Sequence, residues 1–226
     1  MRDTAPAFTA LLVDWRGTLA LPLTPRRWVD TALQELRRPP GDADTVLARL
    51  EAADAHRLLL TPGMDADPAL HRDLYHRVLA RAGIDPELAA ALYRIESDPA
   101  HDLFAADAPA FLARARGAGV RTVVVSDVHV DIRPRFAAAG LADHVDAFAL
   151  SFEAGAEKPD PRLFEAALDK AGAHPAQALM VGDRPTHDGG AADLGIATLL
   201  LPPLRTAQDR RLHLAEALLH TPAPRG

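Results

Sequence analysis

The sequence has no cysteine and only two lysines among its 226 residues. The absence of cysteine excludes a disulfide framework and any thiolate chemistry. The other 23 basic residues are arginines, so Lys158 and Lys170 are exceptions to a strong preference. Because an ammonium and a guanidinium group are not interchangeable, a lysine that persists in this composition suggests a specific need for one.

Long hydrophobic runs and an excess of positive charge are also missing. No apolar run approaches the length of a membrane span, and the run at residues 8–13 is too short for a signal peptide. The net charge of −6 gives no electrostatic reason to bind nucleic acid or an anionic membrane. We therefore expect a cytoplasmic protein that contacts neither nucleic acid nor membrane, as a monomer or a homodimer.

The sequence does contain an alternation of strand and helix patterns that a helical block interrupts once. Residues 21–101 predict four helices and no strand, and three of these helices carry a proline in the first turn. The alternating remainder favours a parallel five-stranded α/β sheet. The predicted strands are residues 11–13, 123–125, 147–150, 178–181 and 197–201. The four helices of the block begin near residues 24, 44, 67 and 85, and the second of them ends near residue 59. The other predicted helices span residues 108–116, 132–139, 161–171 and 206–219, and a tail follows at 221–226.

The stretch at residues 11–19, LLVDWRGTL, contains the clearest candidate for chemistry. Its apolar residues predict a buried strand, and Asp14 stands where that strand ends. Open α/β sheets bind their ligands at the C-terminal ends of the strands. A buried carboxylate in that position needs a metal ion, a cation or hydrogen-bond donors. An aspartate that only forms a turn is the alternative that this segment leaves open.

Three further segments share this character: VVVSD at residues 123–127, EKPDPRLF at 157–164 and MVGDRPTHD at 180–188. In this order, the four segments resemble the four motifs of the haloacid dehalogenase superfamily, whose hydrolases use an aspartate nucleophile. The resemblance extends over residues 11–201. It implies a Rossmann-like core of residues 1–20 and 102–226, with an all-helical cap at 21–101 that closes over the site and excludes water.

The same resemblance gives roles to individual residues of a phosphatase-like site. Asp14 would be the nucleophile that forms an aspartyl-phosphate. Lys158 would lie beside it and reduce the repulsion between two anions. Asp14, Asp183 and the main chain of Arg16 would hold Mg²⁺, with Asp188 as a direct or an indirect ligand. The expected substrate is a small phosphorylated metabolite.

Two residues that follow the strand at 123–125 would complete the site. The hydroxyl of Ser126 could hold a phosphoryl oxygen, although a serine in this position is, by itself, more typical of a helix N-cap. Asp127 stands where many relatives have asparagine, and it adds an acid to the site.

Arg16 is the one serious departure from the family pattern. Phosphatases of the superfamily read Asp-x-Asp-Gly-Thr, and their second aspartate gives a proton to the leaving group and later takes one from water. Arginine stays protonated and cannot do this. We expect its guanidinium to point into the cleft and to pair with Asp127 or with an anionic group of the substrate. His129 and His187 are near the motifs and are the candidates to replace the missing acid.

Arg16 leaves a second reading open, in which the protein is a catalytically weak or inactive relative that binds a phosphorylated ligand or partner. A true haloacid dehalogenase also lacks the second aspartate, but its fourth motif resembles Ser-x-Asn rather than Gly-Asp. Phosphonate cleavage through a Schiff base is excluded, because residues 21–101 contain no lysine.

Overall fold

The computed structural model describes residues 8–219 and has an α/β architecture. The strands are β1 (Ala10–Val13), β2 (Ala20–Leu21), β3 (Leu103–Phe104), β4 (Arg121–Ser126), β5 (Ala147–Leu150), β6 (Ala178–Gly182) and β7 (Ala197–Leu200). The α-helices are α1 (Pro25–Glu35), α2 (Asp42–Ala52), α3 (Ala55–Leu58), α4 (Pro68–Arg81), α5 (Pro86–Glu96), α6 (Ala108–Gly117), α7 (Arg133–Ala138), α8 (Ser151–Ala154), α9 (Pro161–Ala171) and α10 (His213–Leu219). Short 3-10 helices lie at Met64–Ala66, Pro99–His101, Ala142–His144, Pro175–Gln177 and Asp188–Leu194.

The predicted five-stranded parallel sheet is confirmed, with the strand order β5-β4-β1-β6-β7. β1 is central and buried along its whole length. Its last residue, Val13, pairs with Val124 of β4 and Val181 of β6, so the C-terminal ends of the three strands lie side by side. This register fixes where residues that follow the strands must meet.

Helices cover both faces of the sheet, as the Rossmann-like prediction requires. Because side chains alternate along a strand, Leu11 and Val13 face a core with Phe111 of α6 and Phe136 of α7. Leu12 faces the opposite core, which α9 supplies. Both faces of β1 are therefore buried in apolar cores, and the strand meets polar side chains at its C-terminal end.

The helices α1–α5 lie between β2 and β3 and have a hydrophobic core of their own. β2 and β3 form an antiparallel pair that brings the two ends of this helical segment together. The predicted starts of three helices are confirmed, since Thr24, Asp67 and Asp85 accept hydrogen bonds from backbone N–H groups as N-caps of α1, α4 and α5. Among residues 8–219, no helix combines the length and the apolar character that crossing a membrane requires.

Three predictions about elements are wrong. The helix predicted from residue 44 to 59 is split into α2 and α3, because Asp54 has a left-handed backbone with φ 54°. The strands β2 and β3 were not predicted, since two-residue strands leave no periodic pattern. The closing helix begins at His213 rather than at residue 206, where Asp209 instead accepts hydrogen bonds from Arg205 and Thr206 in a turn. The tail predicted at 221–226 lies outside the described residues.

Candidate active site

Asp14 directly follows β1, and the residue is 2% exposed. Its backbone N–H donates to the carbonyl of Val181, which continues the sheet by one residue. The chain then turns at Gly17, which has φ +92°. A Cβ atom at Gly17 would lie 2.4 Å from Oδ2 of Asp183, so glycine both permits the turn and leaves room for that carboxylate.

Lys158 is wholly buried and connects two of the predicted acids. Its Nζ donates to Oδ1 of Asp14 and to Oδ1 of Asp188, each at 2.6 Å, and to the carbonyl of Val125 at 3.3 Å. Burial by itself would lower the pKa of Lys158, but Asp14, Asp127 and Asp188 outweigh burial and raise it. The side chain is therefore a permanent cation that fixes one oxygen of the Asp14 carboxylate.

The carboxyl group of Asp14 keeps its other oxygen free. Burial raises the pKa of Asp14 to about 6, although the positive charge of Lys158 acts in the opposite direction. At neutral pH the group is therefore mainly a carboxylate. Its Oδ2 is buried and has no hydrogen-bond partner within residues 8–219. A buried acceptor without a hydrogen-bond partner costs free energy. An acceptor left in this state is typical of an atom that binds a ligand.

Asp183 and Asp188 come from the loop after β6, but they serve differently. Oδ2 of Asp188 accepts hydrogen bonds from the backbone N–H of Asp183 at 3.0 Å and of Arg184 at 2.8 Å, and Oδ1 is taken by Lys158. Asp188 is thus satisfied on both oxygens and folds the loop back on itself. Asp183 has a buried Oδ1 with no partner in the described part of the chain.

The residues present fit a hard divalent cation such as Mg²⁺. Asp14, Asp183 and Asp188 each offer an oxygen, and these atoms lie within 4.8 Å of one another. The two unpartnered oxygens belong to Asp14 and Asp183, and Mg²⁺ prefers one or two carboxylates together with waters and substrate phosphate. The acid content and the free oxygens of this cluster therefore match that ion.

Ser126 and Asp127 follow β4 and border the same site. Ser126 is buried at the end of the strand, and it does not cap α7, because that helix begins only at Arg133. Asp127 accepts a hydrogen bond from the backbone N–H of Lys158 at 2.7 Å and another from Nη2 of Arg184 at 2.8 Å. Asp127 therefore positions both cationic residues, and Arg184 is a site residue that the sequence reasoning missed.

The expectation that Arg16 pairs with Asp127 is wrong. Nε of Arg16 donates to Oδ2 of Asp102 at 2.9 Å, and its Nη atoms donate to Oε1 and to the carbonyl of Glu96, each at 3.2 Å. Burial would lower the pKa of Arg16, but Asp102 and Glu96 raise it overall. The guanidinium is therefore held by the end of α5 and by the residue before β3, and it connects the first strand loop to the helical segment.

The two histidines considered as replacement acids lie in different surroundings. His129 is buried and stacks on His71, with ring centroids 3.3 Å apart. Burial, His71 and Arg16 lower the pKa of His129 to about 2, so at neutral pH its ring is a neutral imidazole and not an imidazolium acid. His187 lies at the edge of the site, where burial and Arg184 lower its pKa and its Nδ1 is 2.9 Å from the hydroxyl of Thr186.

A small cavity of about 60 Å³ lies between the helical segment and the sheet. Its walls are Leu59, Leu60, Thr61, Met64, Asp65, Asp127, Glu157, Arg184 and His187. The presence of Asp65 in this wall had no signal in the sequence, because it lies in a short 3-10 helix, Met64–Ala66, far from all four motifs.

Comparison with known proteins finds relatives of this chain. The family profile described as "haloacid dehalogenase-like hydrolase" matches residues 8–195. A phosphoserine phosphatase from Thermus thermophilus is 35% identical over 180 residues, which cover 70% of this chain and 71% of that protein. The bovine haloacid dehalogenase-like hydrolase domain-containing protein 3 is 32% identical over 135 residues, which cover 57% of this chain and 54% of its own.

Solved structures share the fold at low sequence identity. A 2-haloacid dehalogenase from Pseudomonas syringae has a TM-score of 0.63 at 20% identity, over 94% of this chain and 98% of that one. A haloacid dehalogenase family enzyme from Bacteroides thetaiotaomicron, in complex with magnesium and inorganic phosphate, has a TM-score of 0.63 at 18% identity, over 92% and 98%. With the matching profile and the phosphatase relative, the conclusion is that this chain belongs to the haloacid dehalogenase-like hydrolases.

Proposed function

We propose that this protein is a Mg²⁺-dependent phosphatase that hydrolyses a small phosphorylated metabolite through an aspartyl-phosphate on Asp14. The observation that carries the proposal is the buried ion cluster in which Lys158 binds one oxygen of Asp14 and leaves the other without a partner. An oriented carboxylate beside a fixed cation is suited to attack an electrophile that is itself an anion.

Each residue of the site has its own role in the proposed reaction. The carboxylate of Asp14 attacks phosphorus, and Lys158 holds that carboxylate in one orientation and reduces its repulsion of the phosphoryl group. Ser126 at the end of β4 and the guanidinium of Arg184 are available to the phosphoryl oxygens. Asp127 keeps Arg184 and the main chain of Lys158 in place.

The fit of the acid cluster supports Mg²⁺ as the cofactor. Asp14, Asp183 and the main-chain carbonyl of Arg16 would hold it, while Asp188 fixes the loop through its hydrogen bonds. When bound, the ion would offset the charge that develops on the phosphoryl oxygens.

We further propose that residues 21–101 act as a cap over a core formed by 1–20 and 102–226. The cavity supports this division, because its wall combines residues 59–65 of the helical segment with residues of the core. A closed cap excludes bulk water from the reacting groups.

The test is steady-state hydrolysis of a panel of phosphate esters, with O-phosphoserine first because the Thermus thermophilus relative is a phosphoserine phosphatase. We expect release of phosphate that needs Mg²⁺, stops with excess chelator, and falls at least about 100-fold in Asp14→Asn and Asp183→Asn. Binding of phosphate without turnover of any ester would favour the second reading, a phosphate-binding relative, for which the position of Arg16 is the supporting observation.

A further inference from the structure

The replacement of the family's second aspartate by Arg16 leaves the proposed reaction without its proton donor. An alkoxide leaving group needs a proton, and arginine cannot supply one. Arg16 is moreover engaged by Asp102 and Glu96. We infer that Asp65, from the helical segment, is the general acid and base of this enzyme. The inference rests on the phosphatase function proposed above.

The segment that contains Asp65 is hydrogen-bonded to the loops of the proposed active site. The carboxylate of Glu157, the neighbour of Lys158, accepts hydrogen bonds from the backbone N–H groups of Gly63 and Asp65. The hydroxyl of Ser151 donates to the backbone carbonyl of Asp65 at 2.7 Å. The same hydroxyl accepts from the backbone N–H of Val128 at 2.7 Å, next to Asp127. Asp65 is thereby tied to the two segments that flank the nucleophile.

Asp65 lines the small cavity beside the proposed site. It shares the cavity wall with Asp127 and Arg184, and one third of its side-chain surface (33%) remains exposed. Within residues 8–219, no lysine or arginine lies within ion-pair distance of its carboxyl group. The nearest ring nitrogens are Nε2 of His71 at 3.8 Å and Nδ1 of His129 at 4.0 Å, beyond hydrogen-bond distance. The group therefore has both access to a substrate and freedom from a fixed cation.

The surroundings of Asp65 favour its protonated form. Burial is the main cause that raises the pKa of Asp65 to about 7, and the negative charges of Asp127, Glu96 and Glu157 act in the same direction, against Arg16. Burial also lowers the pKa of His71 to about 3 and, as noted above, that of His129 to about 2, so neither histidine offers a positive charge. A carboxyl group that titrates near neutral pH can donate a proton in one step and accept one in the next.

The reaction then balances in two steps. A carboxylate oxygen of Asp14 forms a bond to phosphorus, the bond from phosphorus to the ester oxygen breaks, and the carboxyl proton of Asp65 passes to that oxygen, which leaves as an alcohol. In the second step the Asp65 carboxylate takes a proton from water as the water oxygen bonds to phosphorus. The bond from phosphorus to Asp14 breaks, inorganic phosphate leaves, and Asp65 is again protonated.

Two esters with different leaving groups test this role in Asp65→Asn. β-Glycerophosphate releases an alkoxide that needs a proton, whereas p-nitrophenyl phosphate releases a stabilised phenolate that does not. We expect kcat/KM for β-glycerophosphate to fall by about 10²–10⁴-fold, the usual value of general acid catalysis, and kcat/KM for p-nitrophenyl phosphate to fall by less than about 10-fold. Because the second step also needs the base, the variant should show a burst of about one p-nitrophenolate per enzyme before slow turnover.

The pH dependence and two further variants complete the experiment. In the wild type, kcat/KM for β-glycerophosphate should fall as pH rises through about 7, because Asp65 loses its proton, and this fall should be absent in Asp65→Asn. Asp65→Glu should recover a large part of the lost rate. Asp73→Asn, an exposed acid of α4, should behave as the wild type.

Three results would overturn the inference. They are an equal loss with both esters, unchanged kinetics in Asp65→Asn, and tight stoichiometric binding of Zn²⁺ that needs Asp65, His71 and His129 and raises activity. The last would assign Asp65 to a metal site, since these three residues offer ligand atoms within 4.8 Å of one another. Activity that survives Asp14→Asn would instead refute the phosphatase proposal itself.

Discussion

Lys158→Arg keeps the positive charge of the site but should still damage it. The side chain of Lys158 has no exposed surface, and its Nζ lies 2.6 Å from two carboxylate oxygens and 3.3 Å from a carbonyl. A forked guanidinium cannot occupy the position of one nitrogen at these distances, so Asp14 and Asp188 must move apart. Overpacking of this kind costs about 1–3 kcal/mol of unfolding free energy, and a displacement of about 1 Å at a reacting group costs about 10²-fold in rate.

The chain offers a matched control, because its only other lysine, Lys170, lies exposed on α9. We expect Lys170→Arg to change the unfolding free energy by less than about 0.5 kcal/mol and to leave kcat unchanged. Lys158→Met should be worse than Lys158→Arg, with a loss of about 3–5 kcal/mol, because it leaves two buried carboxylates without their cation. Urea unfolding and turnover of p-nitrophenyl phosphate measure both effects. Wild-type stability and kcat in Lys158→Arg would refute the reasoning.

Two further predictions concern charge in and around the helical segment. Arg16→Gln should lower the unfolding free energy in urea by about 3 kcal/mol, because it leaves the buried Asp102 unpaired. Arg26→Gln breaks an exposed ion pair and should have a much smaller effect. Equal losses in the two variants would contradict the geometry. Burial lowers the pKa of His71 to about 3 and of His129 to about 2, so at these two residues the unfolded chain binds more protons below pH 6.5, and their contribution to stability falls as the pH falls. Between pH 7 and pH 5 we expect this contribution to fall by roughly 2 kcal/mol for each histidine, so the unfolding free energy of the double substitution to glutamine should be less sensitive to acid than that of the wild type. An unchanged pH dependence in that variant would contradict the lowered pKa values of the two histidines.

The sequence was sufficient to predict the sheet and the cluster around Asp14, for a physical reason. A parallel sheet brings the C-terminal ends of its strands to one edge, so acids that follow apolar runs meet there whatever their separation along the chain. The structure brings Asp14, Lys158, Asp183 and Asp188 together in this way. Their catalytic roles stay predictions.

The partners of Arg16 could not be predicted, because they depend on how the helical segment sits on the sheet. Glu96 ends α5 and Asp102 precedes β3, and both reach Arg16 only because the short strands β2 and β3 pair. Two-residue strands have no periodicity to detect. Asp65 was missed for a related reason, since its position depends on the hydrogen bonds that its backbone N–H donates to Glu157 and its carbonyl accepts from Ser151, and not on any local pattern.

The central claim, an aspartyl-phosphate at Asp14, can be tested by trapping that intermediate. The enzyme is mixed with Mg²⁺ and excess p-nitrophenyl phosphate, quenched within the first turnover, reduced with borohydride and digested for mass spectrometry. An acyl-phosphate at Asp14 is reduced to homoserine, whereas a free carboxylate is not. The account predicts homoserine at position 14 only when substrate and Mg²⁺ are both present. Turnover that proceeds with no modification at Asp14, or with modification at another acid, would contradict it.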